Sequence, residues 1–109
     1  MNWIELNEEA QLEQIKEKSK AVPQLIFKHS TRCSISTMAK ARLERGAAPE
    51  NVDFYYLDLI KYRNISNLVA NVFNIEHESP QVLLIRDENC VYNESHSGIS
   101  MLDIEEQAA

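Results

Sequence analysis

The sequence predicts one α/β domain over residues 1–109, built on a four-stranded mixed sheet with helices on both faces. Three observations predict this class. Segments of helical periodicity alternate with short apolar segments in the order α-β-α-β-α-β-β-α. Two strand–helix–strand crossovers indicate parallel pairing in the first part of the chain. The turn residues at 87–89 indicate an antiparallel hairpin in the second part.

The first predicted helix and strand lie within the first 28 residues. Asn7 is placed as the N-cap of a helix that runs over about residues 8–20, with acidic residues in its first turn. Leu12 and Ile15 mark the buried face of this helix. The apolar segment 24–28 follows a proline and suits a buried strand.

A second helix and an interior strand come next. The helix begins at Ser34, and its apolar residues recur with helical spacing at Ile35, Met38, Ala39 and Leu43. Gly46 is placed just beyond the last helical turn, as the C′ residue. Val52–Ile60 is mostly β-forming and apolar on both faces, which is typical of an interior strand.

The remaining elements are a helix, a hairpin and a last helix. Asn64 is placed as the cap of the clearest helix in the chain, whose apolar face holds Ile65, Leu68, Val69, Val72 and Phe73. Segments 81–86 and 90–94 predict the two strands of the hairpin. Ser100 begins the last helix, with Asp103 at the position of a capping box.

The composition is that of a soluble globular domain and excludes several functions. Hydrophobic residues make up 44% of the chain, and 11 Lys and Arg against 17 Asp and Glu give a net charge of −6. This acidic balance argues against a surface for nucleic acid or anionic membranes. The chain shows neither a membrane-spanning apolar run nor a signal peptide. We therefore expect a cytoplasmic monomer that binds no nucleic acid and no membrane.

Cys33 is the candidate nucleophile, because it lies where the first predicted strand meets the second helix. The free N–H groups and the dipole at a helix N-terminus favour a thiolate over a thiol, and the thiolate is the reactive form. Arg32 and Lys28 add positive charge nearby. The alternative is a small buried residue beneath the helix start. Polar neighbours such as Thr31 and Ser34 favour an exposed, reactive thiol instead.

The order of elements and the sequence Cys33-Ser34-Ile35-Ser36 resemble the thioredoxin-like superfamily, whose redox centre is a strand–Cys-x-x-Cys/Ser–helix junction. The longer run Ile26–Cys33, followed by Ser36 and later by Ser95-His96, resembles the monothiol bacilliredoxin (YtxJ-like) family of the bacillithiol system. This resemblance covers essentially the whole chain. Ser34 departs from it, since many relatives carry proline there, which affects the expected redox poise but not the nucleophile.

The resemblance implies a monothiol thiol–disulfide oxidoreductase. The Cys33 thiolate would attack the mixed disulfide between a client protein and a low-molecular-weight thiol, with bacillithiol as co-substrate and no bound cofactor. The partners are therefore S-thiolated client proteins and the small thiol. Ser36 stands where a dithiol enzyme carries its resolving cysteine. A second molecule of the small thiol must therefore release the adduct.

The resemblance also places a binding site around the thiol. Residues expected to bind the small thiol or substrate, or to stabilise the thiolate, are Thr31, Arg32, Ser36, Ser79, Pro80, His96 and Gly98. The Ser79–Pro80 bond is expected to be cis and to face the cysteine; an ordinary trans proline at a strand entry is the alternative. A nest of N–H groups at Ser97, Gly98 and Ser100 would hold the malate carboxylates of bacillithiol, unless this segment is a plain capped loop.

Cys90 is expected to be structural. The turn before it lies six or seven residues beyond Pro80, which is on the order of 20 Å from Cys33. Disulfide partners need Cα atoms within about 7 Å of each other. Two cysteines at this spacing form neither a disulfide framework nor a CxxC pair.

Two other functions remain open. Ser30-x-x-Cys33 fits the short motif of thiol peroxidases, although the chain is short for one. A thioredoxin-fold adaptor without redox turnover is the non-enzymatic alternative, although the pair Tyr55-Tyr56 is more typical of sheet packing. A metal site is not expected, since the histidines and cysteines lack paired ligand spacing and the Cys-Gly-Phe-Ser of cluster-binding glutaredoxins is absent.

Overall fold

A five-stranded mixed sheet forms the centre of the structure, which is a computed structural model that describes all 109 residues. In chain order the elements are β1 (Trp3–Glu5), α1 (Gln11–Lys18), β2 (Gln24–His29), α2 (Ser34–Arg45), β3 (Asp53–Asp58), α3 (Arg63–Phe73), β4 (Gln81–Arg86), β5 (Asn89–Ser95), a 3₁₀ turn (His96–Gly98) and α4 (Met101–Ala108). The strand order is β1-β3-β2-β4-β5, with β1, β3 and β2 parallel and β4 and β5 antiparallel to their neighbours. The predicted α/β class and its mixed sheet are confirmed.

The predicted sheet has one strand too few, because β1 was not foreseen. Residues Trp3–Glu5 pair in parallel with β3, with Trp3 opposite Phe54. Three residues are too short for an alternating pattern to be visible. The tertiary packing of Trp3 fixes this strand instead, since its ring stacks on Phe27 at 5.6 Å between centroids and meets Phe54 edge-on.

The predicted starts of two helices are wrong. Helix α1 begins after Ala10 rather than after Asn7, and the amide oxygen of Gln11 accepts the Asn7 N–H at 2.8 Å. Asn64 lies inside α3 rather than at its cap, and its side chain donates to the carboxylate of Glu9 at 2.9 Å. Asn64 thus serves a contact with a distant residue that the local sequence does not reveal.

The predicted ends of α2 and α4 agree better with the structure. The Ser100 hydroxyl accepts the Asp103 N–H at 3.4 Å, which confirms the cap of α4. Gly46 does follow the last turn of α2, but its φ of −78° is not left-handed. A Cβ at Gly46 would stand 2.8 Å from Cβ of Met101, so close packing accounts for the glycine.

Strand β2 is the central strand and is buried along its whole length. Its side chains alternate between two cores: Leu25 and Phe27 pack with α2 and α4, whereas Ile26 packs with α1 and α3. Because β2 is the middle strand of five, its carboxyl end lies at the centre of one end of the sheet, and α2 begins there. None of the four helices is long and apolar enough to cross a membrane.

Candidate active site

Cys33 is the N-cap residue of α2 and is half-buried. Its backbone is extended, its N–H donates to the Ser30 carbonyl at 3.1 Å, and its carbonyl accepts the Thr37 N–H at 3.0 Å. These bonds fix the residue at the start of a twelve-residue helix that has no acidic residue in its first turn. Backbone dipoles at a helix N-terminus attract negative charge, and Cys33 occupies this position.

Ser36 supports the loop that carries Cys33. It is fully buried, and its hydroxyl oxygen accepts the Ser30 N–H at 3.0 Å and lies 2.7 Å from Nδ1 of His29. Burial lowers the pKa of His29, which favours the neutral ring over the charged one beside this hydroxyl. The sequence places Ser36 among the binding residues, but in the structure its hydroxyl is used within its own chain.

Thr31 and Arg32 lie exposed in the loop before Cys33. No carboxylate comes within 4.0 Å of the Arg32 guanidinium. Lys28 is placed differently, because it is fully buried and its ammonium group donates to the Ser66 carbonyl at 3.2 Å, on the α3 side of the sheet.

The Ser79–Pro80 peptide bond is cis, as the family resemblance implied. Pro80 is buried directly before β4, and its carbonyl accepts the His96 N–H at 3.0 Å. This bond joins the segment before β4 to the 3₁₀ turn. The Ser79 hydroxyl oxygen is buried beside it and has no hydrogen-bond partner.

The 3₁₀ turn is held against α2 by Arg42. The Arg42 guanidinium donates to the carbonyls of His96 at 3.1 Å and Ile99 at 3.3 Å. His96 has a left-handed φ of 55°, and its exposed ring lies 3.6 Å from a carboxylate oxygen of Glu78. Neither Arg42 nor Glu78 is predicted from the sequence, because their partners lie far along the chain and no local pattern marks them.

Gly98 lies against a carboxylate of its own chain. A Cβ at Gly98 would stand 2.6 Å from Cδ of Glu94, and Oε1 of Glu94 accepts the Ser95 N–H at 2.9 Å. Ser100 uses its hydroxyl to cap α4. Glu94 and Glu78 therefore place two carboxylates of the chain itself beside the predicted nest of N–H groups, whose role in binding the small thiol stays a prediction.

Cys90 lies at the other end of the hairpin. It pairs with Ile85 in the β4–β5 ladder, whereas Gln81 and Ser95 pair at the end near Pro80. Its thiol donates to the Tyr92 carbonyl at 3.3 Å, and burial raises its pKa. Both cysteines are free thiols, and no three His, Cys, Asp or Glu side chains come together.

Solved structures share this architecture. A protein described as an oxidoreductase with a thioredoxin fold is 29% identical, with a TM-score of 0.84, over 97% of this chain and 93% of that chain. Thioredoxin of Malassezia sympodialis is 16% identical over 99% and 92% of the two chains, with a TM-score of 0.76. Thioredoxin f of spinach chloroplast is 13% identical over 99% and 88%, with a TM-score of 0.76. The two thioredoxins show likeness of fold alone.

This fold, with a free thiol at the start of α2, defines the class of thioredoxin-fold thiol–disulfide oxidoreductases. The family model of the monothiol bacilliredoxin BrxC matches residues 4–104, nearly the whole chain. The protein belongs to the monothiol bacilliredoxin family, which confirms the family predicted from the sequence.

Proposed function

We propose that the protein removes bacillithiol from mixed disulfides of cytoplasmic client proteins, with Cys33 as its single nucleophile. The observation that carries this proposal is the contrast between two positions of α2. Cys33 presents a half-buried thiol at the helix N-terminus, whereas the residue three positions later, Ser36, has a fully buried hydroxyl. Such a site can accept a thiol but cannot resolve the adduct by itself.

The exchange proceeds in two balanced steps. The Cys33 thiolate attacks the bacillithiol sulfur of the client disulfide, a new sulfur–sulfur bond forms, and the client sulfur leaves as a thiolate that takes up a proton. The thiolate of a second bacillithiol then attacks the sulfur of the bacillithiol bound to Cys33, and the bond between that sulfur and Cys33 breaks. The products are oxidised bacillithiol and the free Cys33 thiolate, so each client cysteine is reduced at the expense of one free bacillithiol, which leaves as a disulfide with the bacillithiol taken from the client.

The charges around the site support one orientation of the bound thiol. Arg32 is exposed and has no carboxylate within 4.0 Å, and Cys33 stands at the N-terminus of α2. The 3₁₀ turn instead has the carboxylates of Glu78 and Glu94 beside it. We expect the malate carboxylates of bacillithiol to lie toward Arg32, away from the turn, because like charges repel.

Intact mass with peptide mapping tests the proposal directly. The protein is incubated with oxidised bacillithiol and, in parallel, with oxidised glutathione. We expect one bacillithiol adduct on Cys33, none on Cys90, and release of the adduct by added bacillithiol. The matched variants Cys33→Ser and Cys90→Ser should abolish the adduct and leave it unchanged, respectively. An unmodified Cys33 would contradict the redox assignment, and retained client binding by Cys33→Ser would then favour an adaptor.

A further inference from the structure

Two large apolar side chains are exposed on α2, close to the nucleophile. Ile35 is 53% exposed and Met38 is 62% exposed. Because three-residue and seven-residue steps return to the same side of a helix, Arg42 and Arg45 continue the same row. These four residues, Ile35, Met38, Arg42 and Arg45, form what we term the α2 stripe. Its second half borders a shallow cavity of about 190 Å³.

The charge of the stripe is opposite to that of the whole chain. The protein carries a net charge of −6, yet neither Arg42 nor Arg45 lies within 4.0 Å of a carboxylate. The one acidic residue of α2, Glu44, is engaged elsewhere, because its carboxylate accepts from Lys40 at 2.9 Å and from the indole N–H of Trp3 at 2.8 Å. The stripe is therefore an uncompensated basic surface with apolar residues at one end.

The stripe begins beside Cys33 and follows the edge of the active site. Ile35 is two residues beyond the nucleophile, and Arg42 donates to the carbonyls of the 3₁₀ turn. From Ile35 to Arg45 the helix rises about 15 Å, which is the length of roughly four or five extended residues. When a client cysteine exchanges its disulfide with Cys33, the client residues on either side of that cysteine can therefore reach the stripe.

We infer that the α2 stripe docks the S-thiolated client, and that the segment it fits is acidic with an apolar side chain next to the modified cysteine. This inference rests on the proposed function. Ile35 and Met38 would cover the apolar side chain, and Arg42 and Arg45 would face the carboxylates. Two exposed apolar side chains and one shallow cavity fall far short of the ~1,200 Å² that a stable dimer buries.

The test uses two peptides that carry bacillithiol on a single cysteine, one with leucine and aspartates beside it and one with leucine and lysines. Release of bacillithiol is measured as kcat/KM, with the reaction of Cys33 with oxidised bacillithiol as the reference. We expect a preference of about fivefold for the acidic peptide at low salt, which shrinks at high salt. Arg45→Glu should abolish the preference, and Met38→Gln should slow both peptides about threefold. Lys18→Glu, on exposed α1, is the matched control.

Each outcome bears on one claim. Equal rates on the two peptides, unchanged in Arg45→Glu, would overturn the inference and leave the proposed function standing. Failure to release bacillithiol from either peptide would overturn the proposed function. The stripe would then be tested by fluorescence anisotropy, as binding of the two peptides to Cys33→Ser. A dimer in sedimentation that Met38→Gln disrupts would assign the stripe to a second copy and overturn the inference.

Discussion

The hydroxyl of Ser36 lies 2.7 Å from Nδ1 of His29 and joins the end of β2 to the first turn of α2. The same oxygen accepts the Ser30 N–H at 3.0 Å. His29 is itself held by Tyr56, with 5.5 Å between the ring centroids. The loop that presents Cys33 is therefore anchored from beneath by one buried hydroxyl.

Replacing Ser36 with alanine should destabilise the protein. The change leaves the buried Ser30 N–H and the His29 ring without their partner, at a cost of about 1–3 kcal/mol in the free energy of unfolding. Ser34→Ala is the matched control, because Ser34 lies in the same first turn of α2 but is exposed. This change should alter the free energy of unfolding by less than about 0.5 kcal/mol. Urea denaturation of both variants measures the difference, and equal losses would contradict the anchoring role.

Replacing Ser36 with cysteine should convert the mechanism. Residues three apart on a helix lie on the same side, so a thiol at position 36 faces the adduct on Cys33. We expect Ser36→Cys to expel bacillithiol and form an internal disulfide without added thiol, whereas the wild-type adduct persists until bacillithiol is supplied. Mass spectrometry of the isolated adduct measures the loss of bacillithiol in the variant and in the wild type.

The matched control for this conversion is Ser34→Cys, which adds a thiol beside Cys33 that points to a different side of the helix. It should leave the adduct intact. Persistence of the adduct in Ser36→Cys would show that the loop holds position 36 out of reach of the nucleophile.

The parts of the fold that the sequence predicted are those with local signals. The periodicity of α2 and α3, the apolar run of β2 and the junction at Cys33 are all visible within about ten residues. The features that were missed depend on distant partners. Strand β1 needs the packing of Trp3, and Asn64 leaves its cap position to meet Glu9.

The same distinction applies to the site. The position of the Cys33 thiol at the start of α2 and the cis bond at Pro80 follow from short motifs and the family resemblance. The expected carboxylate site at the 3₁₀ turn depended on N–H groups alone, and the sequence could not show that the Glu94 carboxylate folds back onto Gly98. Ser36 likewise matches its motif, but the motif does not show that its hydroxyl is buried and bonded to His29 and to the Ser30 N–H.

Lys28 should make the stability of the protein depend on alkaline pH. It is fully buried without a carboxylate partner, and burial lowers the pKa of its side chain from 10.5 to about 8. Between these values the unfolded chain binds a proton that the folded chain has released. The free energy of unfolding therefore rises with pH across this window, by up to about 3 kcal/mol from this group.

The variant Lys28→Met tests this dependence. It removes the buried charge while keeping an unbranched chain, so the rise in stability between pH 8 and 9.5 should disappear. Lys61→Met, on the exposed surface, should retain the wild-type slope. Tyrosines also titrate at alkaline pH, and comparing each variant with the wild type at the same pH cancels their contribution to the free energy of unfolding. An unchanged slope in Lys28→Met would contradict the assignment.

The two glycines should respond differently to alanine. At Gly46 the added Cβ would stand 2.8 Å from Cβ of Met101, an atom fixed by the buried start of α4, so we expect a loss of about 1–3 kcal/mol. At Gly98 the clash is with the Glu94 carboxylate, which can swing aside, and the loss should stay below about 1 kcal/mol. Since neither glycine has a positive φ, backbone strain does not enter the comparison. Urea denaturation that showed equal losses would contradict the tight packing of α2 on α4.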